Sequence, residues 1–219
     1  MVKIATNECG CGKVQFDIKV TTELVTSPVV GCQCIDCIGF VESVEQARTK
    51  AHKTGGREHL IEPEKYTLVR PLYKSDIVAI RGSEHLGRLT MSPRLIRYYS
   101  KCCGTPMAFL FKNPLPFCAL WERNFVAYKG AESMAANAEP FTPQFRPDVI
   151  VFHKFEQPGA KPLPEHVPVG DTAPLSLIFK FATRFLFGCG KGKYRTNPSL
   201  FEIGESPIPS GKDAVKFDY

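Results

Sequence analysis

The chain has 219 residues, 43% of them hydrophobic and 23% charged, with a formal net charge of +6. These are ordinary globular values, which exclude a disordered or fibrous chain and supply enough apolar residues for a core built without metal. Lys and Arg are interleaved with Asp and Glu and form no run, so the basic excess gives no strong nucleic-acid signal.

From the amino end, Met1–Glu8 lacks the continuous apolar run of a secretory signal, which predicts a reducing, cytoplasmic setting. Cys9-Gly-Cys11-Gly then opens a strand over Lys13–Val20, where Val14, Phe16, Ile18 and Val20 alternate. Val29 and Val30 lead into Cys32-x-Cys34-x-x-Cys37, after which Phe40, Val44, Ala47 and Ala51 recur at helical spacing until Gly55-Gly56. Short strands follow at Tyr66–Leu72, Ile77–Arg81 and Leu86–Met91, the last two read as a hairpin across Gly82-Ser83. Leu95–Tyr99 and Thr105–Phe111 flank the adjacent pair Cys102-Cys103, and further strands are expected at Phe125–Tyr128 and Val149–Phe155.

The prolines at 158, 162, 164 and 168 mark a stiff connector over residues 156–170, separating a β domain (1–155) from a helical extension (171–219). Within the extension, Leu175–Phe187 reads as an apolar helix with Asp171 or Thr172 as N-cap and Gly188 as C-cap. It is shorter than the ~20 residues a bilayer span requires, and Lys180 and Arg184 interrupt it. No transmembrane segment is therefore expected; the helix is expected to pack on the β domain or on a second copy in a homo-oligomer, with an interfacial membrane helix as the alternative.

Seven of the nine cysteines fall in the three clusters. Cys-x-Cys neighbours rarely reach disulfide geometry, whereas a tetrahedral ion accepts several thiolates from one tight turn. Cys9 and Cys11 with the distant corner at Cys102-Cys103 predict a closed, chemically inert four-thiolate zinc site. Cys32, Cys34 and Cys37 supply three thiolates from one turn, a zinc unit whose fourth position is either open to a small molecule or closed by Cys102, Cys118, Cys189 or a histidine. Cys102 itself has two readings, as fourth ligand of the first site or as the residue that closes the second. Asp36, inside the central cluster, is either a proton relay or a turn residue, and His52 and His59 approach the cluster or lie on the surface. Cys118 and Cys189 read as ordinary buried thiols.

The three motifs Cys9-Gly-Cys-Gly-Lys-Val-Gln-Phe, Cys32-Gln-Cys-Ile-Asp-Cys and Tyr99-Ser-Lys-Cys-Cys-Gly-Thr-Pro resemble, in order and spacing over about residues 5–112, the glutathione-dependent formaldehyde-activating enzyme family, which includes centromere protein V-like members. The resemblance implies a mostly β, Mss4-like zinc-bound fold, with the first and last motifs on a structural zinc and the central cysteines on a second zinc associated with the glutathione adduct. The chain departs from the pattern at Ser100, where the closing Cys-x-x-Cys has its first thiol, and carries Cys102 beside Cys103 instead. Two functions of different class are expected: a carbon–sulfur lyase acting on thiol–aldehyde adducts of glutathione or another small thiol, with Cys32, Cys34 and Cys37 as its catalytic centre, or a non-catalytic zinc scaffold that binds a protein, nucleic acid or membrane.

Overall fold

Strand-forming segments dominate because β-branched and aromatic residues alternate with polar ones between short turns. The computed structural model describes residues 4–50, 60–92, 95–111, 117–126, 143–152 and 159–172, and these are mostly β. In chain order they form β1 (Ile4–Glu8), β2 (Gln15–Lys19), a one-turn helix α1 (Thr22–Val25), β3 (Val30–Cys32), a long helix α2 (Ile35–Lys50), β4 (Thr67–Tyr73), β5 (Ile77–Arg81), β6 (Leu86–Ser92), β7 (Leu95–Ser100), β8 (Pro106–Phe111), β9 (Phe117–Trp121), β10 (Phe125–Val126), β11 (Val149–Val151) and β12 (Val169–Gly170).

Two sheets result, one of four strands in the order β10-β1-β2-β5 and one of eight in the order β12-β11-β3-β4-β9-β8-β7-β6. Successive side chains in a strand point to opposite faces, and the larger sheet uses both. Along β9, Cys118 and Leu120 join the core shared with Phe16 and Ile18 of the smaller sheet, while Ala119 and Trp121 join a second core with Phe40, Val41 and Val44 of α2. The eight-stranded sheet is thus the middle layer, with the small sheet on one face and α2 on the other.

A buried ion pair fixes the middle layer to the α1 turn. Arg70 of β4 donates two hydrogen bonds of 2.7 Å to the Glu122 carboxylate just past β9. It also reaches the carbonyls of Leu24 and Ser27. Glu122 accepts in addition the Gln144 backbone N–H at 2.8 Å, so both charges are fully engaged.

Several expectations are corrected. Ile77–Arg81 and Leu86–Met91 do not pair: β5 ends the small sheet and β6 ends the large one. Gly82, at φ +70°, and the 3-10 turn Ser83–His85 carry the chain from one layer to the next, and a side chain at position 82 would strike the Lys13 carbonyl oxygen. The long helix begins at Ile35, inside the central cysteine cluster rather than after it. Strands β1, β9 and β12 carry no strong alternation and were not expected, and the strand at 149 ends at Val151. The Gly55-Gly56 stop, His52, His59, Cys189 and the Leu175–Phe187 helix lie outside the described residues, as does nearly all of the 171–219 segment. Among the described residues no helix is long and apolar enough to cross a membrane.

Candidate metal centres

The first cluster is assembled by two turns from different sheets. Leaving β1, the chain reverses through Gly12, at φ +74°, with the Cys9 N–H bonded to the Val14 carbonyl at 2.9 Å and the Gly12 N–H to the Cys9 carbonyl at 2.9 Å. Opposite it, the β7–β8 corner closes with the Gly104 N–H on the Ser100 carbonyl at 2.8 Å, Gly104 itself adopting φ +67°. The Gly10 N–H donates to Thr105 Oγ1 at 3.1 Å and locks the two turns together.

Four sulfurs converge there. Those of Cys9, Cys11, Cys102 and Cys103 all lie within 4.8 Å of one another, with Cys9–Cys11 at 3.6 Å, Cys9–Cys102 at 3.9 Å and Cys11–Cys102 at 3.4 Å. Sulfurs ~2.3 Å from a tetrahedral ion sit about 3.8 Å apart, so the spacing suits a thiolate-bound ion. All four are free cysteines. Cys102 therefore stands at the first cluster and not at the central one.

Ser100 does not take a ligand corner. Its buried hydroxyl lies 3.2 Å from Cys103 Sγ and accepts the Thr105 N–H at 2.8 Å. With Thr105 Oγ1 at 3.1 Å on the same sulfur, it orients the thiol that carries the site. Cys103 is held down to about 3, first by its hydrogen bond with Cys9 and then by Ser100 and Thr105. The same contact with Cys103, together with burial, raises Cys9 far above the ordinary thiol range. Burial and then Cys11 raise Cys102.

The central cluster lies where a strand runs into a helix. Cys32 ends β3, in register with Thr67 of β4 on one side and Val151 of β11 on the other. Buried Gln33 bonds through its N–H to Val151 O at 3.1 Å and through Nε2 to Glu64 O at 3.1 Å, fixing the residue between two thiols. Cys34 immediately precedes α2 and caps it, its Sγ accepting the Cys37 N–H at 3.3 Å. Cys37 follows in the first helical turn.

The three sulfurs lie within 4.8 Å of one another, with Cys32–Cys34 at 3.3 Å. Among the described residues no fourth Cys, His, Asp or Glu joins them. Cys118, one of the expected closers, is buried in the core on the other face of the sheet, where desolvation pushes it up to about 12. Hydrogen bonds from Cys32 and then Cys37 hold Cys34 down to about 3, helped by the Cys37 N–H and by the positive charge of Arg97. A thiolate at a helix N-terminus also gains from the helix dipole. Cys32 is raised well above the thiol range by its bond to Cys34, then by Cys37 and burial. At Cys37 the Cys32 bond pulls down, but Cys34 and burial outweigh it and push the thiol up to about 12.

Arg97 was not foreseen. It sits on β7 opposite Leu89 and Phe109, on the face turned toward α2, with its side chain 0% exposed. Its Nη2 lies 3.6 Å from Asp36 Oδ2, and its guanidinium carbon is 6.0 Å from the Phe40 ring centroid. A single arginine in a β-run with one hydrophobic neighbour on each side, Ile96 and Tyr98, reads as a solvated residue. Only the pairing of β7 with β6 and β8 under α2 reveals that it is covered.

Both cysteine groups can thus hold metal ions, four thiols at one and three at the other. The chain belongs to a family of unknown function, DUF6151, whose model matches residues 1–208. No curated protein matches it.

Proposed function

We propose that both clusters hold zinc, the first as a closed structural site and the second as a site that takes a small thiol and acts on its aldehyde adducts. The observation that carries this reading is the difference in donors among the described residues, four convergent thiols at Cys9, Cys11, Cys102 and Cys103 against three at Cys32, Cys34 and Cys37. Four thiolates fill a tetrahedron and leave nothing to react, whereas three leave a position for an incoming donor. The motif resemblance to the formaldehyde-activating family supports the same division, with glutathione or a related small thiol as the partner and an Mss4-like arrangement of the strands.

The donor set fits zinc on chemical grounds: soft thiolates select it, and the sulfur spacing suits its bond length. When bound, the ion supplies a Lewis-acid position that receives sulfur. The chain's residues do the rest. Cys32, Cys34 and Cys37 would fix that position between β3 and α2, and Asp36, partly exposed and next to Cys37 in the first turn of α2, would accept the hydroxyl proton of an S-hydroxymethyl thiol. In the lyase direction the C–S bond breaks with its electron pair staying on sulfur, the hydroxyl oxygen becomes the aldehyde carbonyl, and the released proton restores the thiol. No oxidant or reductant is consumed.

Interconversion of S-hydroxymethylglutathione with glutathione and formaldehyde, followed by exchange NMR with isotopically labelled formaldehyde, tests the proposal. The zinc-loaded protein should accelerate exchange, and Cys34→Ser should abolish the acceleration while keeping the first zinc. A protein with both zincs and no acceleration would be a non-catalytic zinc scaffold.

A further inference from the structure

The buried guanidinium of Arg97, paired with Asp36 at the central cluster, has no part in the proposed chemistry. None of its Nε, Nη1 and Nη2 atoms has a hydrogen-bond partner among the described residues. Its one ion pair among the described residues, to Asp36, is 3.6 Å long, and Asp36 is 35% exposed. A charge taken wholly out of water with so little compensation is costly and needs a counter-charge nearby. Phe40 lies under the guanidinium, and the register partners of Arg97 on the flanking strands, Leu89 and Phe109, are apolar. Asp36 lies between Cys34 and Cys37 at the start of α2, so the guanidinium paired with it stands at the edge of the cluster.

We propose that Arg97 makes the fourth position of the central site selective for an anionic donor, a thiolate above all, over a neutral one. This rests on the reading that Cys32, Cys34 and Cys37 hold a divalent ion. Three thiolates and a divalent ion carry a net charge of −1, and an anionic fourth ligand brings a further −1 into a poorly hydrated site. A fixed cation beside the site lowers the cost of that second charge and does nothing comparable for a neutral donor such as imidazole or water. Asp36 works in the opposite direction, and its exposure lets solvent screen it, so the buried cation dominates. Arg97 is a specificity-determining residue in this account; it touches neither the metal nor the reacting carbon.

Cobalt(II)-loaded full-length protein, titrated separately with 2-mercaptoethanol, azide and imidazole and read through the ligand-field and sulfur-to-cobalt charge-transfer bands, tests this. A closed four-thiolate site does not respond to added ligands, so the response reports the central site. Arg97→Met should weaken 2-mercaptoethanol and azide about ten- to a hundredfold and change imidazole by less than about threefold. Asp36→Asn, at a half-exposed position, should strengthen both anions by about threefold. Equal losses for anions and imidazole in Arg97→Met, or an unchanged preference in Asp36→Asn, would overturn the inference. If Arg97→Met binds no cobalt, Arg97→Lys, which keeps the charge, must retain the wild-type preference; loss of that preference in folded Arg97→Lys overturns it. Binding of one cobalt per chain, unchanged by Cys34→Ser, would overturn the central metal site and the inference together, whereas two cobalts with unselective losses would overturn the inference alone.

Discussion

Arg48 of α2 packs over Gly104, so closely that a Cβ added to the glycine would lie 2.7 Å from the arginine's own Cβ. The contact joins the two cysteine centres. The helix that begins within the central cluster lays its far end on the turn that carries Cys102 and Cys103. Gly104 is irreplaceable twice over, since its φ of +67° also belongs to the left-handed region that other L-residues avoid.

Gly104→Ala should therefore destabilise the protein by more than the ~1–2 kcal/mol of a left-handed alanine alone, because either Arg48 or the turn must shift. Thermal denaturation should show a fall of several degrees, accompanied by weaker retention of the metal at the first site but not at the second. An equal loss at both sites would mean that the strain spreads along α2.

The Arg70–Glu122 pair makes a second stability prediction. Glu122→Gln preserves shape but leaves the Arg70 guanidinium buried without its counter-charge, and breaking such a pair costs about 3–5 kcal/mol. Urea denaturation should move to lower midpoint with an unchanged slope, and the metal content of the folded protein should not change. Arg70→Met with Glu122→Leu together should recover much of the loss, since the apolar double replacement leaves no orphan charge.

The cysteine clusters were legible in the sequence because ligand spacing is a local property: Cys9-x-Cys11, Cys32-x-Cys34-x-x-Cys37 and Cys102-Cys103 each sit in one turn. The strands that alternate cleanly, such as that containing Phe16 and Ile18, were legible for the same reason. What failed was long-range. Adjacent strands Ile77–Arg81 and Leu86–Ser92 look like a hairpin until the sheets are seen to part at Gly82. Whether Cys102 turned to the first or the central cluster depended on the pairing of β7 with β8. Arg97 gave no signal, since burial of an arginine follows from what covers its strand. The start of α2 at Ile35 was missed because Cys34, acting as a cap, is not a usual capping residue type.

Metal binding at the central cluster should release protons in a countable way. Its neighbours hold Cys34 down to about 3, whereas Cys37 is pushed up to about 12 and Cys32 stands well above the ordinary thiol value. Ligation requires thiolates, so loading should release about two protons, those of Cys32 and Cys37. The free chain holds more protons than the loaded one, so affinity rises with pH and falls in acid. While both thiols remain protonated in the free form, the dependence should approach about a hundredfold per pH unit. Calorimetric zinc titrations in buffers of different ionisation enthalpy measure the proton count; release of none would show that the cluster is fully ionised before the metal arrives.

The two centres should also differ in what they do for the fold, and Cys11 offers a clean way to see it. Its side chain is exposed, so truncating it removes no packing from the core. On the proposed reading, a loss of stability in Cys11→Ala beyond that of its sulfur contacts with Cys9 and Cys102 comes through the metal, which would tie the turn after β1 to the β7–β8 corner and so couple the two sheets. The variant should contain one zinc fewer per chain and melt at lower temperature than wild type, while the two proteins should melt together once a chelator has stripped both. Cys34→Ala should also lose one zinc. Its cost in melting temperature should be smaller, because Cys32 and Cys37 remain packed with Val30, Phe40 and Val44 between β3 and α2 whether or not an ion is present. Equal melting temperatures for wild type and Cys11→Ala with metal bound would remove the structural role of the first site. A larger fall in Cys34→Ala than in Cys11→Ala, each taken relative to the same variant stripped by chelator so that the lost α2 cap cancels, would reverse the assignment, placing the structural ion at the helix and the reactive one at the sheet corner.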